Sequence, residues 1–104
     1  DTVIMSRYPA IAFHADARWV PTPNADVDAV WRYARAKGVT YFVVDEREVK
    51  YLRPQFRVFL NEATLPPGFA WVHGDVSEDE RLVVLRIVDK GAHDPISAPS
   101  KVAS

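Results

Sequence analysis

Residues 25–47 constrain the fold more than any other stretch, because an amphipathic helix there runs into an apolar strand and then a charged cluster. Between Ala25 and Lys37, the residues Val27, Val30, Trp31 and Ala34 fall at i, i+3, i+4 and i+7. That spacing draws one apolar stripe down a helix. Asn24 or Asp26 can cap its start, and Gly38 supplies the left-handed residue that ends it. Val39 to Val44 follow as a largely apolar run of β-branched and aromatic residues, as expected of a strand covered on both faces. Asp45-Glu46-Arg47 stand where that strand ends, and open α/β sheets hold ligands beyond the carboxyl ends of their strands.

The flanking segments extend this unit into a fold. Val3-Ile4-Met5 reads as a first buried strand ending at Ser6-Arg7, and Pro9 opens a short helix to Ala15, where its missing N–H costs nothing. Asp16-Ala17-Arg18 makes a turn, Trp19-Val20 a brief extended segment, and Pro21-Thr22-Pro23 keeps the backbone out of helix. Asp45 with Glu48 three residues later has the form of a capping box. Val49, Leu52, Phe56, Phe59 and Leu60 keep helical spacing, interrupted at Pro54, which predicts a kink or two short helices. After the turn Leu65-Pro66-Pro67-Gly68, the runs 69–76 and 81–88 form an antiparallel hairpin across the polar loop 77–80.

The expected architecture is therefore α/β: a small mixed sheet with a parallel βαβ core and a C-terminal antiparallel hairpin, with helices packed on the sheet. A right-handed helical crossover links the two main parallel strands. Trp31, Phe42, Val44, Leu82 and Val84 are expected inside. Residues 1–90 make a single domain, and 91–104, rich in Pro, Ser, Ala and Lys without periodicity, a disordered tail.

Composition narrows the function classes. A chain of 104 residues can bury roughly two-thirds of its unfolded surface, enough for one small core. Thirteen basic and fourteen acidic residues leave a net charge of −1, which gives no electrostatic footprint for nucleic acid or an anionic membrane. The absence of cysteine rules out disulfides, thiolate zinc sites and cysteine nucleophiles. No apolar run reaches the roughly 20 residues that span a bilayer, and no signal peptide is present. A start at Asp1 suggests a domain excised from a longer polypeptide.

Candidate chemistry is sparse. His14 near Asp16 is a conceivable base, against the simpler role of an ordinarily hydrogen-bonded histidine. Asp45 and Glu46 are conceivable as a carboxylate pair, but adjacent residues leaving a strand point apart, and capping is the simpler role for Asp45. Arg7, Arg47 and Arg53 could line an anion site at the strand ends, or pair with Asp45, Glu46 and Glu48 as surface ion pairs. Trp31 and Trp71 read as core, whereas Trp19, beside two prolines, could lie exposed. The three histidines show no zinc-ligand spacing, and there is no glycine-rich phosphate loop and no Gly-x-Ser-x-Gly elbow. No metal or cofactor is expected.

Three stretches together resemble a known pattern: Val3 to His14, an apolar strand into a short helix; Trp19-Val20-Pro21 followed by Asp26; and Tyr33 to Arg47, helix into strand into charged cluster. This is similar to the C-terminal, extracytoplasmic soluble domain of bacterial multi-spanning glycosyltransferases of the dolichyl-phosphate-mannose protein mannosyltransferase type. The likeness covers roughly residues 2–60 and, weakly, the hairpin. It implies a periplasmic accessory domain attached to the membrane-embedded part of the same polypeptide. The parent would take sugar from a polyprenyl-phosphate donor, using acidic residues in extracytoplasmic loops of its membrane portion, outside this chain. No catalytic residue is thus carried over. Parallel pairing of the first two main strands would gather Arg7, Tyr8, His14, Trp19, Asp45, Glu46 and Arg47 along one sheet edge, suited to a saccharide or polyprenyl-phosphate sugar. Two alternatives stand beside this reading: a free-standing α/β binding or interaction module, and a small soluble hydrolase using His14 with Asp45 or Glu46.

Overall fold

A computed structural model describes residues 2–76 and 81–90. The expected polar loop at 77–80 and the expected disordered tail at 91–104, with His93, lie outside the described residues. The strands are β1 (Val3–Ser6), β2 (Arg18–Pro21), β3 (Tyr41–Asp45), β4 (Phe69–Val76) and β5 (Arg81–Ile87). The helices are α1 (Ala10–His14), α2 (Val27–Ala36) and α3 (Glu46–Tyr51), followed by 3-10 segments at Pro54–Leu60 and Glu62–Thr64. One five-stranded sheet has the order β2-β1-β3-β5-β4. β1 pairs parallel with β2 and β3, and β5 pairs antiparallel with β3 and β4. The fold is the mixed α/β sheet with a closing hairpin that the sequence predicts.

That order fixes which face each helix covers. From β1 the chain steps outward to β2, then returns past β1 to β3. Right-handed crossovers in opposite directions put their helices on opposite faces. Ala12 of α1 accordingly packs with Ile4 and Val43 in a small cluster. Val30 and Ala34 of α2 pack with Val3, Met5, Phe42, Val44, Val83 and Leu85 in the main core. Val49 of α3 joins that same main core, so α3 leaves β3 toward the face opposite α1.

Local chemistry sets the element ends. Asp26 Oδ1 accepts from Ala29 N–H at 2.8 Å and caps α2, and Gly38, at φ +69°, ends it. Asp28 pairs with Arg32 one turn on and with Lys90, tying α2 to the end of the described chain. The stripe Val30 and Ala34 is buried.

Burial departs from expectation at Trp31, Leu82 and Val84. The extended segment at Trp19-Val20 is a full edge strand, β2, held in register by β1. The break at Pro54 gives two short helices, as expected, the second a 3-10 segment whose three-residue turn puts Phe56 and Phe59 on one side. Phe42 meets their rings edge-on, with centroids 5.8 and 5.1 Å away, while Leu52, at the end of α3, is 52% exposed. In β5 the residues facing the main core are Val83 and Leu85, because successive strand side chains alternate. Leu82 and Val84 are only half-buried, on the face that α1 covers among the described residues. Trp31 is also half-buried: its indole N–H donates to Val88 O at 2.9 Å, and its ring lies over Gly68. At Gly68 (φ +94°) a Cβ would come within 2.3 Å of that ring.

Candidate functional site: a crevice between β1 and β3

The opposed helices create a topological switch point. After β1 the chain turns to one face and after β3 to the other, so their connections diverge and leave a crevice between the two carboxyl ends. Open α/β sheets bind their ligands at such points. Here the crevice has a volume of about 460 Å³. Ser6, Arg7 and Tyr8 form one wall, Asp45 and Arg47 the other, and Ile11, Val43 and Leu82 an apolar floor.

Arg7 and Asp45 meet across it. Arg7 Nη2 donates to Asp45 Oδ2 at 3.2 Å and Oδ1 at 3.3 Å, while Nη1 donates to the Tyr8 hydroxyl at 2.9 Å. The guanidinium also lies over the Tyr8 ring, 4.3 Å from its centroid. Tyr8 itself is 61% exposed. Ser6 Oγ donates to Tyr8 O at 2.6 Å, which fixes the turn after β1. Asp45 has a second role as predicted: Oδ1 accepts from Glu48 N–H at 2.6 Å and caps α3. Arg47 is exposed and has no ion pair or hydrogen bond among the described residues.

Glu48 does not complete the capping box. Its side chain has no exposed surface and turns inward, where Oε2 accepts from Arg53 Nη1 at 2.9 Å. Arg53 Nη2 in turn donates to Thr22 O at 3.3 Å, binding the loop after β2 to the end of α3. Burial pushes the Glu48 carboxyl above its ordinary value, more than the Arg53 guanidinium pulls it back; Asp45 adds to the rise and Arg7 opposes it. Where sequence alone suggested surface ion pairs, this one is internal.

Of the seven residues expected along this edge, four line the crevice: Arg7, Tyr8, Asp45 and Arg47. Trp19 lies beside it without lining it, donating its indole N–H to Ser6 O at 3.1 Å. His14 is exposed on α1 against the Phe13 ring, and Glu46 lines two other grooves along α3 with Lys50, one of which Arg47 also borders. The floor residues Ile11, Val43 and Leu82 escaped the sequence reading. Strand alternation beneath Asp45 could have indicated Val43, but only the β3–β5 register places Leu82 opposite Asp45.

Among the described residues no group of three or more His, Asp or Glu side chains could hold a metal ion. No described helix is long and apolar enough to cross a membrane. Comparison with protein-family models, curated proteins and solved structures finds no match to this chain.

Proposed function

We propose that this chain is an extracytoplasmic accessory domain of a bacterial membrane glycosyltransferase that uses a polyprenyl-phosphate sugar donor, and that it binds or positions a substrate and makes no bond itself. The resemblance of residues 2–60 to such domains supports the choice of family. The observation that carries the rest is the chemistry of the switch-point crevice. Its polar groups are a guanidinium–carboxylate pair, a phenol and a second guanidinium, suited to holding a polar ligand against an apolar floor. Its hydroxyl, Ser6 Oγ, is engaged by a backbone carbonyl, and His14 lies outside. A general base within reach of a nucleophile is what hydrolysis would require.

The test is a turnover assay on the 104-residue chain with a polyprenyl-phosphate sugar and acceptor, and with glycosidase and esterase substrates. We expect no product. Turnover abolished by His14→Ala or Asp45→Ala would overturn the reading in favour of a small soluble enzyme.

A further inference from the structure

We propose that a second groove, lined by α3 and the 3-10 segment Pro54–Leu60, is a docking channel for an extended acidic peptide. The peptide's carboxylates would lie on Lys50, Arg57 and Arg81, and its apolar side chains on Val58 and Leu60. This groove shares no lining residue with the crevice.

Charge gives the sign of the partner. Lys50, Arg57 and Arg81 line the groove against a single carboxylate, Glu46, a balance of +2 on a chain whose net charge is −1. Arg57 is exposed and has no ion pair or hydrogen bond among the described residues. Lys50 has only a cation–π contact there, 5.3 Å from the Tyr51 ring centroid. Arg81 Nη1 donates to Leu60 O at 3.2 Å, which holds the guanidinium at the wall and leaves Nη2 unengaged among the described residues. The neutral polar groups are tied within the chain. Gln55 Nε2 donates to Asn24 Oδ1 and Ala25 O, Asn61 Oδ1 accepts from Ala63 N–H, and Thr64 Oγ1 donates to Val58 O. A partner therefore meets free cations and the apolar surface of Val49, Val58 and Leu60, the pattern by which basic clusters take acidic segments.

Shape gives an extended chain. The groove, about 810 Å³, shares Leu60, Asn61 and Arg81 with a cavity of about 320 Å³ walled by Trp71. Together they pass the roughly 300–1,000 Å³ of a compact-ligand site. Trp71 stands at the register shift in β4 and lies over Gly74, where a Cβ would come within 2.3 Å of its ring. Trp19 and Trp31 donate their indole N–H to backbone carbonyls, whereas that of Trp71 has no partner among the described residues and is free for a peptide carbonyl. Glu62 lines this second cavity and repels acids there, so the carboxylates belong on the Lys50 to Arg81 stretch. A single-stranded nucleic acid would want exposed rings for base stacking, and Trp71, the one aromatic residue lining either cavity, is half-buried.

Fluorescence anisotropy with labelled peptides of about eight residues tests this. A peptide of glutamates interspersed with leucines should bind saturably, and its glutamine counterpart at least about tenfold more weakly. Arg57→Glu, at an exposed position, should weaken the acidic peptide about tenfold, and Arg86→Glu, exposed elsewhere on the sheet, should not. The combination Glu78→Gln, Asp79→Asn and Glu80→Gln removes like charge next to Arg81 in sequence and should not weaken binding. In ¹⁵N spectra the Trp71 indole N–H should move on binding, with those of Trp19 and Trp31 in place. No binding of the acidic peptide, equal binding of the glutamine peptide, no effect of Arg57→Glu, an unmoved Trp71 indole, or tighter binding of a single-stranded oligothymidylate would each overturn the proposal.

Discussion

Glu48 and Arg53 test the account at the scale of single residues. A buried ion pair is strongly destabilising to break from one side, because the other charge is left without a partner. Glu48→Ala should therefore cost about 3–5 kcal/mol in urea unfolding, a large part of the stability of a small domain. Glu48→Leu combined with Arg53→Met should return close to wild type or above it, since hydrophobic replacement removes both charges together. A double variant as unstable as the single one would show that shape, not charge, is at stake. The pH dependence has a definite sign. Unfolded, Glu48 titrates near its ordinary value of 4.5, and burial moves it higher in the folded chain. Between the two values the folded chain holds the extra proton, so this group's contribution grows as pH falls through that window and is lost as pH rises through it. The stability gap between wild type and Glu48→Gln should accordingly move in favour of the wild type from about pH 7 to about pH 5. A gap that moves the other way would mean Arg53 outweighs burial.

Among the elements, α3 depends on Asp45 for both its cap and its tie to β1. Asp45→Ala removes both, and the cap alone is worth about 0.5–2 kcal/mol. Asp45→Asn keeps an acceptor for the Glu48 N–H and loses only the charge opposite Arg7, so it should cost less than about 1 kcal/mol. Equal losses for the two variants in thermal unfolding would place the weight on the ion pair and not on the cap. How far the elements are legible in sequence follows from how local their causes are. The Asp26 cap, the Val30–Ala34 stripe and the Gly38 stop lie within one helix length, and they stand as predicted. The 3-10 segment after Pro54 owes its shape to Phe56 and Phe59 reaching Phe42 and Phe69, which only the assembled sheet provides. β5 fails for a related reason: its run is apolar on both faces, so alternation gives no phase until β3 pairing fixes it. The same limit governed the site. Arg7 and Asp45 are 38 positions apart, and an expected parallel pairing was enough to bring them together. The inward turn of Glu48 was not legible, because a capping box predicts the opposite orientation.

On the scale of the whole molecule, the sheet has unequal faces: one carries the main core, and the other is served by the short α1. That asymmetry opens the crevice, since a longer helix after β1 would overlie Val43 and Leu82. Under the proposed function, the domain contributes recognition, and bond-making falls to another part of the polypeptide. The coding sequence immediately upstream of Asp1 decides whether the domain is attached to a membrane-embedded enzyme. Attachment requires several stretches of about 20 apolar residues each, long enough to span a bilayer, with the last ending shortly before the domain. A start codon at that point, or a second soluble domain, would contradict it.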